Sequence, residues 1–348
     1  MKPEFAFRNL VFHGGGSRTF AYHGVLPVLE EAGVLARIDR VGGTSAGALA
    51  AAMVSFRLSA ADTVALYDSL EFSQISTPKP DFKGYFPHLP PVEDGLGRIA
   101  GRLLELSHVL KHYGMHQTSY PQSWMTDAIA SQCDGDGRAT FGEFRRRGFR
   151  DLSVVTTNVS THQIAVFSAD NTPDVAVVDA LLLSQSVPLV FEAPQFDGKT
   201  LGQGDFYGDG GLLNNYPLHL FDHPQYAEGN PWYVGGINWE TLGCHLHTPD
   251  EVAGTLARPI TNVATYIANL IEIILEAGEA AYATTPTDRQ RSIDISNCGI
   301  SFTDFSIQTT PDDEVYSKLV RAGERAARDF LAAHRPPTEW LAGGRSGA

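Results

Sequence analysis

The chain has 348 residues, 43% hydrophobic and 19% charged, an ordinary globular balance with enough apolar material for a substantial core. Its formal net charge of −14 argues against a nucleic-acid partner and against simple electrostatic capture by anionic lipid, while leaving membrane contact through apolar loops open. Three widely spaced cysteines, Cys133, Cys244 and Cys298, form no disulfide framework and suit a reduced, cytoplasmic setting.

The N-terminal stretch before Gly14 lacks the apolar run of a secretory signal, so none is expected. Leu10 to His13 reads as a strand, followed by Gly14-Gly15-Gly16-Ser17-Arg18. A helix is then predicted over Phe20 to Ala32, with Val25, Leu26 and Leu29 on one face, Pro27 as a kink and Thr19 as a candidate N-cap. Consecutive glycines leave backbone N–H groups uncovered, which suits either a phosphate loop or an oxyanion hole. The P-loop pattern fails because no Gly-Lys-Ser/Thr follows. The dinucleotide fingerprint fails because Thr19 stands at its sixth position. Ile38 to Val41 supplies a second strand and Ala46 to Phe56 a second helix. Between them lies Gly43-Thr44-Ser45-Ala46-Gly47, which reads as a nucleophile elbow, a sharp turn that pushes a serine hydroxyl out of the backbone. A plain small-residue turn packed between helix and sheet would have the same letters.

The α/β rhythm breaks over an insertion spanning 71–125. Pro78, Pro80, Pro87, Pro90 and Pro91 make its first half irregular, and Leu96 to Tyr113 reads as a helix. With Phe72, Phe82, Tyr85 and Phe86, this segment is a candidate lid or lipid-contact element; a surface excursion with packed aromatics fits equally. His108, His112 and His116 recur every fourth residue, but Gly114 interrupts the helix that would align them. Cys133 to Phe144 resembles part of a calcium loop, yet an uncharged Gln132 holds its first position and no flanking helix pair is obvious, so a polar turn is expected.

The core resumes with strands over Leu152–Asn158 and Gln163–Phe167, then a helix over Val175–Ser184. Tyr207-Gly208-Asp209-Gly210-Gly211 holds an aspartate at a bend with its carboxylate free. A serine nucleophile needs a base within hydrogen-bond reach, and Asp209 could take that place without a histidine between them. Trp232 to Ile237 reads as a strand. His245 and His247 alternate as on a strand, but no further ligand is identifiable and no metal is assigned. Val263 to Ala281 is a helix that Glu272 and Glu276 make a poor membrane span, so a buried amphipathic helix is expected. Ser292–Ile295 is a late strand, Asp313–His334 a terminal helix, and 335–348 a tail expected to be flexible.

Glycine loop, elbow and Asp-Gly-Gly in this order resemble the patatin-like phospholipase family. The resemblance also takes in Leu183-Ser184-Gln185-Ser186-Val187-Pro188 and Gly299-Ile300-Ser301-Phe302-Thr303-Asp304-Phe305. It implies a three-layer α/β fold with a mainly parallel central sheet flanked by helices, here one domain over 8–334. It implies lipid acyl-ester hydrolysis by a Ser–Asp dyad and an acyl-enzyme, with no cofactor and with lipid met transiently at a membrane or micelle surface. The nucleophile maps to Ser45, between Gly43 and Gly47, and the base to Asp209, before Gly210 and Gly211. The oxyanion hole maps to Gly14, Gly15 and Gly16, and Arg18 follows as a residue that orders the loop or meets a head-group phosphate. Thr19 departs from the glycine common there. The rivals are a Ser–Asp–His triad using His219, His223, His245 or His247, a non-catalytic lipid-binding scaffold, and a transacylase on the same fold. Nothing in the sequence sets an oligomeric state.

Overall fold

Apolar runs of four to eight residues alternate with alanine- and leucine-rich helical segments, the pattern that builds parallel strands joined by helical crossovers. The computed structural model describes residues 5–75, 113–116, 118–249, 260–261, 263–282 and 285–335. Most of the insertion (including His108, His112, Phe82, Tyr85 and Phe86), the helix expected up to Tyr113, and the tail beyond Arg335 lie outside the described residues.

In chain order the elements are β1 (Asn9–Phe12), a 3-10 turn (Gly16–Ala21), α1 (Tyr22–Glu31), β2 (Arg40–Thr44), α2 (Ala46–Ser55), α3 (Ala60–Asp68), α4 (Phe72–Ile75), β3 (Gly114–His116), α5 (Ser119–Gln132) and α6 (Phe141–Arg146). The second half contributes β4 (Asp151–Asn158), β5 (Gln163–Ser168), α7 (Val177–Ser184), β6 (Leu189–Phe191), β7 (Gln195–Phe196), β8 (Asp205–Asp209) and α8 (Gly211–Asn214). It closes with β9 (Tyr233–Val234), β10 (Ile237–Asn238), β11 (Thr241–His247), α9 (Val263–Tyr282), α10 (Pro286–Gln290), β12 (Ser292–Ser296) and α11 (Glu314–Ala333).

The result is a mixed sheet with mostly parallel strands, flanked by helices. Its hydrogen-bonded path runs β12-β11-β1-β2-β4-β8-β7, with β5 also on β4. Strands β12 through β4 are parallel, and β8, β7 and β5 join antiparallel. The register on β4 positions the candidate site. One edge of β4 pairs with β5 from Ser153 to Asn158. On the other edge β2 ends with Thr44 opposite Val155, and β8 ends with Asp209 opposite Thr156. Two strands therefore run head to head along one edge, and the residue after β2, Ser45, meets the last residue of β8.

Several expectations are corrected. The first helix is split into the 3-10 turn and α1, so Thr19 is no N-cap; its hydroxyl donates to the Gly16 carbonyl at 2.7 Å. Pro27 sits inside α1 on the exposed side. The strand expected over Trp232–Ile237 is the small β9–β10 hairpin turning at Gly235-Gly236, and the buried strand beside β1 is β11. The calcium-like segment does have flanking helices, α5 and α6. Its acidic groups are engaged elsewhere: Glu143 accepts the Thr140 N–H at 2.8 Å in a capping box, and Asp134 pairs with Arg147 at 2.5 Å.

Helix α11 packs on α1 through glycines on both sides. A Cβ at Gly323 would lie 1.8 Å from the Ala21 carbonyl oxygen, and one at Gly24 would lie 1.9 Å from that of Val320. Alanine is favoured over glycine inside a helix by about 1 kcal/mol. Here the forced separation of two backbones outweighs it, so Gly323→Ala is expected to lose roughly 1–3 kcal/mol in urea unfolding. A stabilised variant would show that the helices do not approach this closely.

Candidate active site

Ser45 occupies the turn from β2 into α2 with φ 55° and ψ −131°, a conformation disfavoured for a residue with a Cβ. Such strain costs about 1–3 kcal/mol and persists only where its surroundings hold it. The elbow's neighbours do so. A Cβ at Gly43 would lie 2.3 Å from the Gly47 carbonyl oxygen, and one at Gly47 would lie 2.4 Å from that of His13. The Ser45 N–H donates to Ser184 Oγ at 2.8 Å, and the Ser184 hydroxyl donates to the Val155 carbonyl at 2.7 Å.

The Ser45 hydroxyl donates to Asp209 Oδ2 at 2.5 Å across 164 residues of sequence. Asp209 Oδ1 accepts the Gly211 N–H at 2.7 Å, and the Asp209 N–H donates to the Ser186 carbonyl at 2.8 Å. Burial pushes the Asp209 carboxyl up to about 6, against the hydrogen bonds from Ser45 and Gly211, which favour the charged form. The histidines of the rival triad are placed elsewhere. His219 pairs with Asp222, His223 accepts the Gln225 N–H, and His245 and His247 face Asp294.

The glycine loop lies beside this pair. The Gly14 N–H donates to the Asn215 carbonyl at 2.9 Å and the Ser17 N–H to the Phe302 carbonyl at 3.2 Å. The N–H groups of Gly15 and Gly16 meet no acceptor among the described residues, and both residues line the cleft with Ser45 and Asp209. The expected set of three donors thus loses Gly14, whose N–H fixes the loop to the segment after Asp209. Arg18 is also corrected. It is buried inside the fold, where its guanidinium forms an ion pair with Glu272 of α9 and donates to the Ile300 carbonyl at 2.6 Å. Arg18 does not line the cleft, which is at odds with the head-group contact expected as one of its two roles.

The cleft is predominantly apolar. Its polar end holds Ser45, Asp209 and Asn215, and its walls include Leu49, Leu70, Phe72, Met125, Val190 and Leu275. Phe72, expected among the aromatics of a lid or lipid-contact element, is buried and forms part of this wall. Sequence reasoning missed Ser184, Asn215 and Glu272 as supporting residues. Ser184 and the Ile300–Phe302 carbonyls fall inside segments that carried the family resemblance, whereas Glu272 gave no signal beyond an acid in an apolar helix. Helix α9 is only half buried: Ile271 and Leu275 face inward, while Tyr266, Leu270, Ile273 and Ile274 are exposed. No helix among the described residues is long and apolar enough to cross a membrane.

Residues 10–222 match the family model of the patatin-like phospholipases. The chain belongs to the patatin-like phospholipase family. An uncharacterised protein, YqhO of Bacillus subtilis, is 28% identical over 216 residues, which is 61% of this chain and 65% of that protein. A probable lipid hydrolase of Invertebrate iridescent virus 6 is 23% identical over 222 residues, 63% of this chain and 64% of that protein. The chain thus spans less than two thirds of the length of these curated relatives. Among solved structures, VipD from Legionella pneumophila shares the fold with a TM-score of 0.55 at 18% identity, covering 94% of this chain and 67% of that one.

The buried carboxyl has a consequence for stability. Because its folded-state value is raised from 3.8 to about 6, the unfolded chain releases this proton first, and stability falls as pH rises through that window. Asp209→Asn removes the titration. Its stability relative to the parent is expected to improve by roughly 2–3 kcal/mol between about pH 3.5 and about pH 8, at 1.36 kcal/mol per unit. Urea unfolding of both proteins at the two pH values checks it, and a gap that does not change with pH would contradict the raised value.

Proposed function

We propose that the chain hydrolyses fatty-acyl esters of lipids, in the manner of a phospholipase A or lysophospholipase, through an acyl-enzyme on Ser45 with Asp209 as base. The observation that carries this reading is the 2.5 Å contact between Ser45 and a fully buried Asp209 at the polar end of an apolar cleft. In the proposed reaction Asp209 takes the Ser45 proton as Oγ attacks the ester carbonyl carbon. The carbonyl oxygen becomes an oxyanion, met by the N–H groups of Gly15 and Gly16. Loss of one such donor typically costs about 3 kcal/mol of transition-state stabilisation. The tetrahedral carbon then breaks its bond to the alcohol oxygen, which leaves with the proton held on Asp209. In the second half water gives a proton to Asp209 and attacks the acyl carbon, and the proton returns to Ser45 as the fatty acid departs.

A base value of about 6 fits general-base work near neutral pH, since the carboxylate is mostly ionised yet far more basic than an exposed aspartate. The half-buried α9, with Leu275 in the cleft wall and Ile273 and Ile274 exposed, supports transient contact with the lipid surface that presents the substrate.

Ser45→Ala and Asp209→Asn are each expected to lower hydrolysis of lipid and short-chain aryl esters at least a thousandfold. A serine-reactive fluorophosphonate should label the parent and not Ser45→Ala; labelling that persists in that variant removes Ser45 from the mechanism. In the parent, kcat/KM should rise with pH through an apparent pKa near 6 and level off above it, because only ionised Asp209 accepts the proton. A profile flat from pH 5 to 8 would exclude Asp209 as the base.

A further inference from the structure

We propose that His245, His247 and Asp294 form a binding site for one divalent transition-metal ion of the zinc class, separate from the Ser45–Asp209 pair. His245 and His247 stand two apart on β11, so both rings project from one face of the strand. Asp294 is the register partner of His245 on β12. The three side chains bring one donor atom each to within 4.8 Å of one another.

The separations fit a common cation. Asp294 Oδ1 lies 2.8 Å from His245 Nδ1 and 2.9 Å from His247 Nδ1. Imidazole nitrogen and carboxylate oxygen bind zinc at about 2.0–2.2 Å, so two ligands in its tetrahedral arrangement are roughly 3.4 Å apart. An ion can therefore replace the proton that His245 and Asp294 share, with sub-ångström outward shifts of the three donor atoms. The donor set, two imidazoles and one carboxylate, suits zinc, cobalt or nickel rather than magnesium or calcium. Packing orients the inner ligand in advance: the His245 ring lies 5.3 Å from the His13 ring and 4.9 Å from that of Tyr216. Exposure rises outward, with side-chain values of 12% for His245, 34% for His247 and 64% for Asp294. Water from the open side completes the coordination.

The test is titration of the full chain, without a histidine tag, with Co²⁺. Binding is followed by the visible d–d absorption of cobalt, then by displacement with Zn²⁺. One saturable site per chain is expected. His247→Ala and Asp294→Ala, at partly exposed positions where folding tolerates change, should each weaken binding at least tenfold. Ser45→Ala should bind as the parent does, which keeps this result independent of the hydrolase reading. No saturable one-to-one binding, or binding that survives both ligand substitutions, overturns the site.

Discussion

Strand β4 is longer than β2, and the rest of its edge is taken by β8 running the opposite way. That one pairing constraint brings two strand ends together, and the contact between Ser45 and Asp209 follows from it. The arrangement also accounts for the small residues on each side. A turn must leave each strand at the same point, so Gly43, Gly47, Gly210 and Gly211 lie where a Cβ would press within 3 Å of backbone or side-chain atoms.

A second constraint holds the glycine loop against this junction. Its N–H groups are tied to the segment after Asp209 through the Asn215 carbonyl and to the late loop through the Phe302 carbonyl, and Arg18 beneath it meets Glu272. Burying two charges is expensive, and an apolar pair of the same shape would often be as stable. Removing one partner alone is worse, because it strands the other charge. The pair therefore enforces a geometry: α9 can leave the loop only by exposing or isolating a charge. Since α9 also supplies Leu275 to the cleft wall, the loop donors and the apolar chamber are coupled through one salt bridge.

The parts legible in the sequence are those where backbone geometry dictates residue type. A serine forced into a positive φ needs small neighbours, and a bend after a strand-end aspartate needs glycine, so the loop, the elbow and Asp-Gly-Gly stand out as letters. The family resemblance then supplied their common purpose. What stayed hidden was set by partners distant in the chain. Strand β11 shows in the sequence only through the alternation of His245 and His247, because most of Thr241–His247 is buried on both faces, the usual condition of a central parallel strand. The Gly14 N–H is taken up by a carbonyl some two hundred residues away, so three equivalent glycines in the sequence become two open donors in the fold. Arg18 reads as a loop-ordering or head-group cation with no identifiable partner for the same reason, since Glu272 lies 254 residues downstream. Asp294 joined no motif until β12 settled beside β11.

Among the described residues no imidazole lies next to Ser45, and in the proposed chemistry that places a demand on the carboxylate that burial meets. A solvated aspartate is too weak a base to assist a serine, and in a triad the histidine supplies a value near neutrality. Asp209 is 1% exposed, one of its oxygens is held by the Gly211 N–H, and the other faces only the serine hydroxyl. Desolvation raises its affinity for a proton toward that of an imidazole, while the two hydrogen bonds keep it from rising so far that it would stay protonated at neutral pH. In the proposed chemistry the interior of the protein therefore does the work of the missing third residue. The same burial that destabilises the ionised fold makes a lone carboxylate basic enough to act.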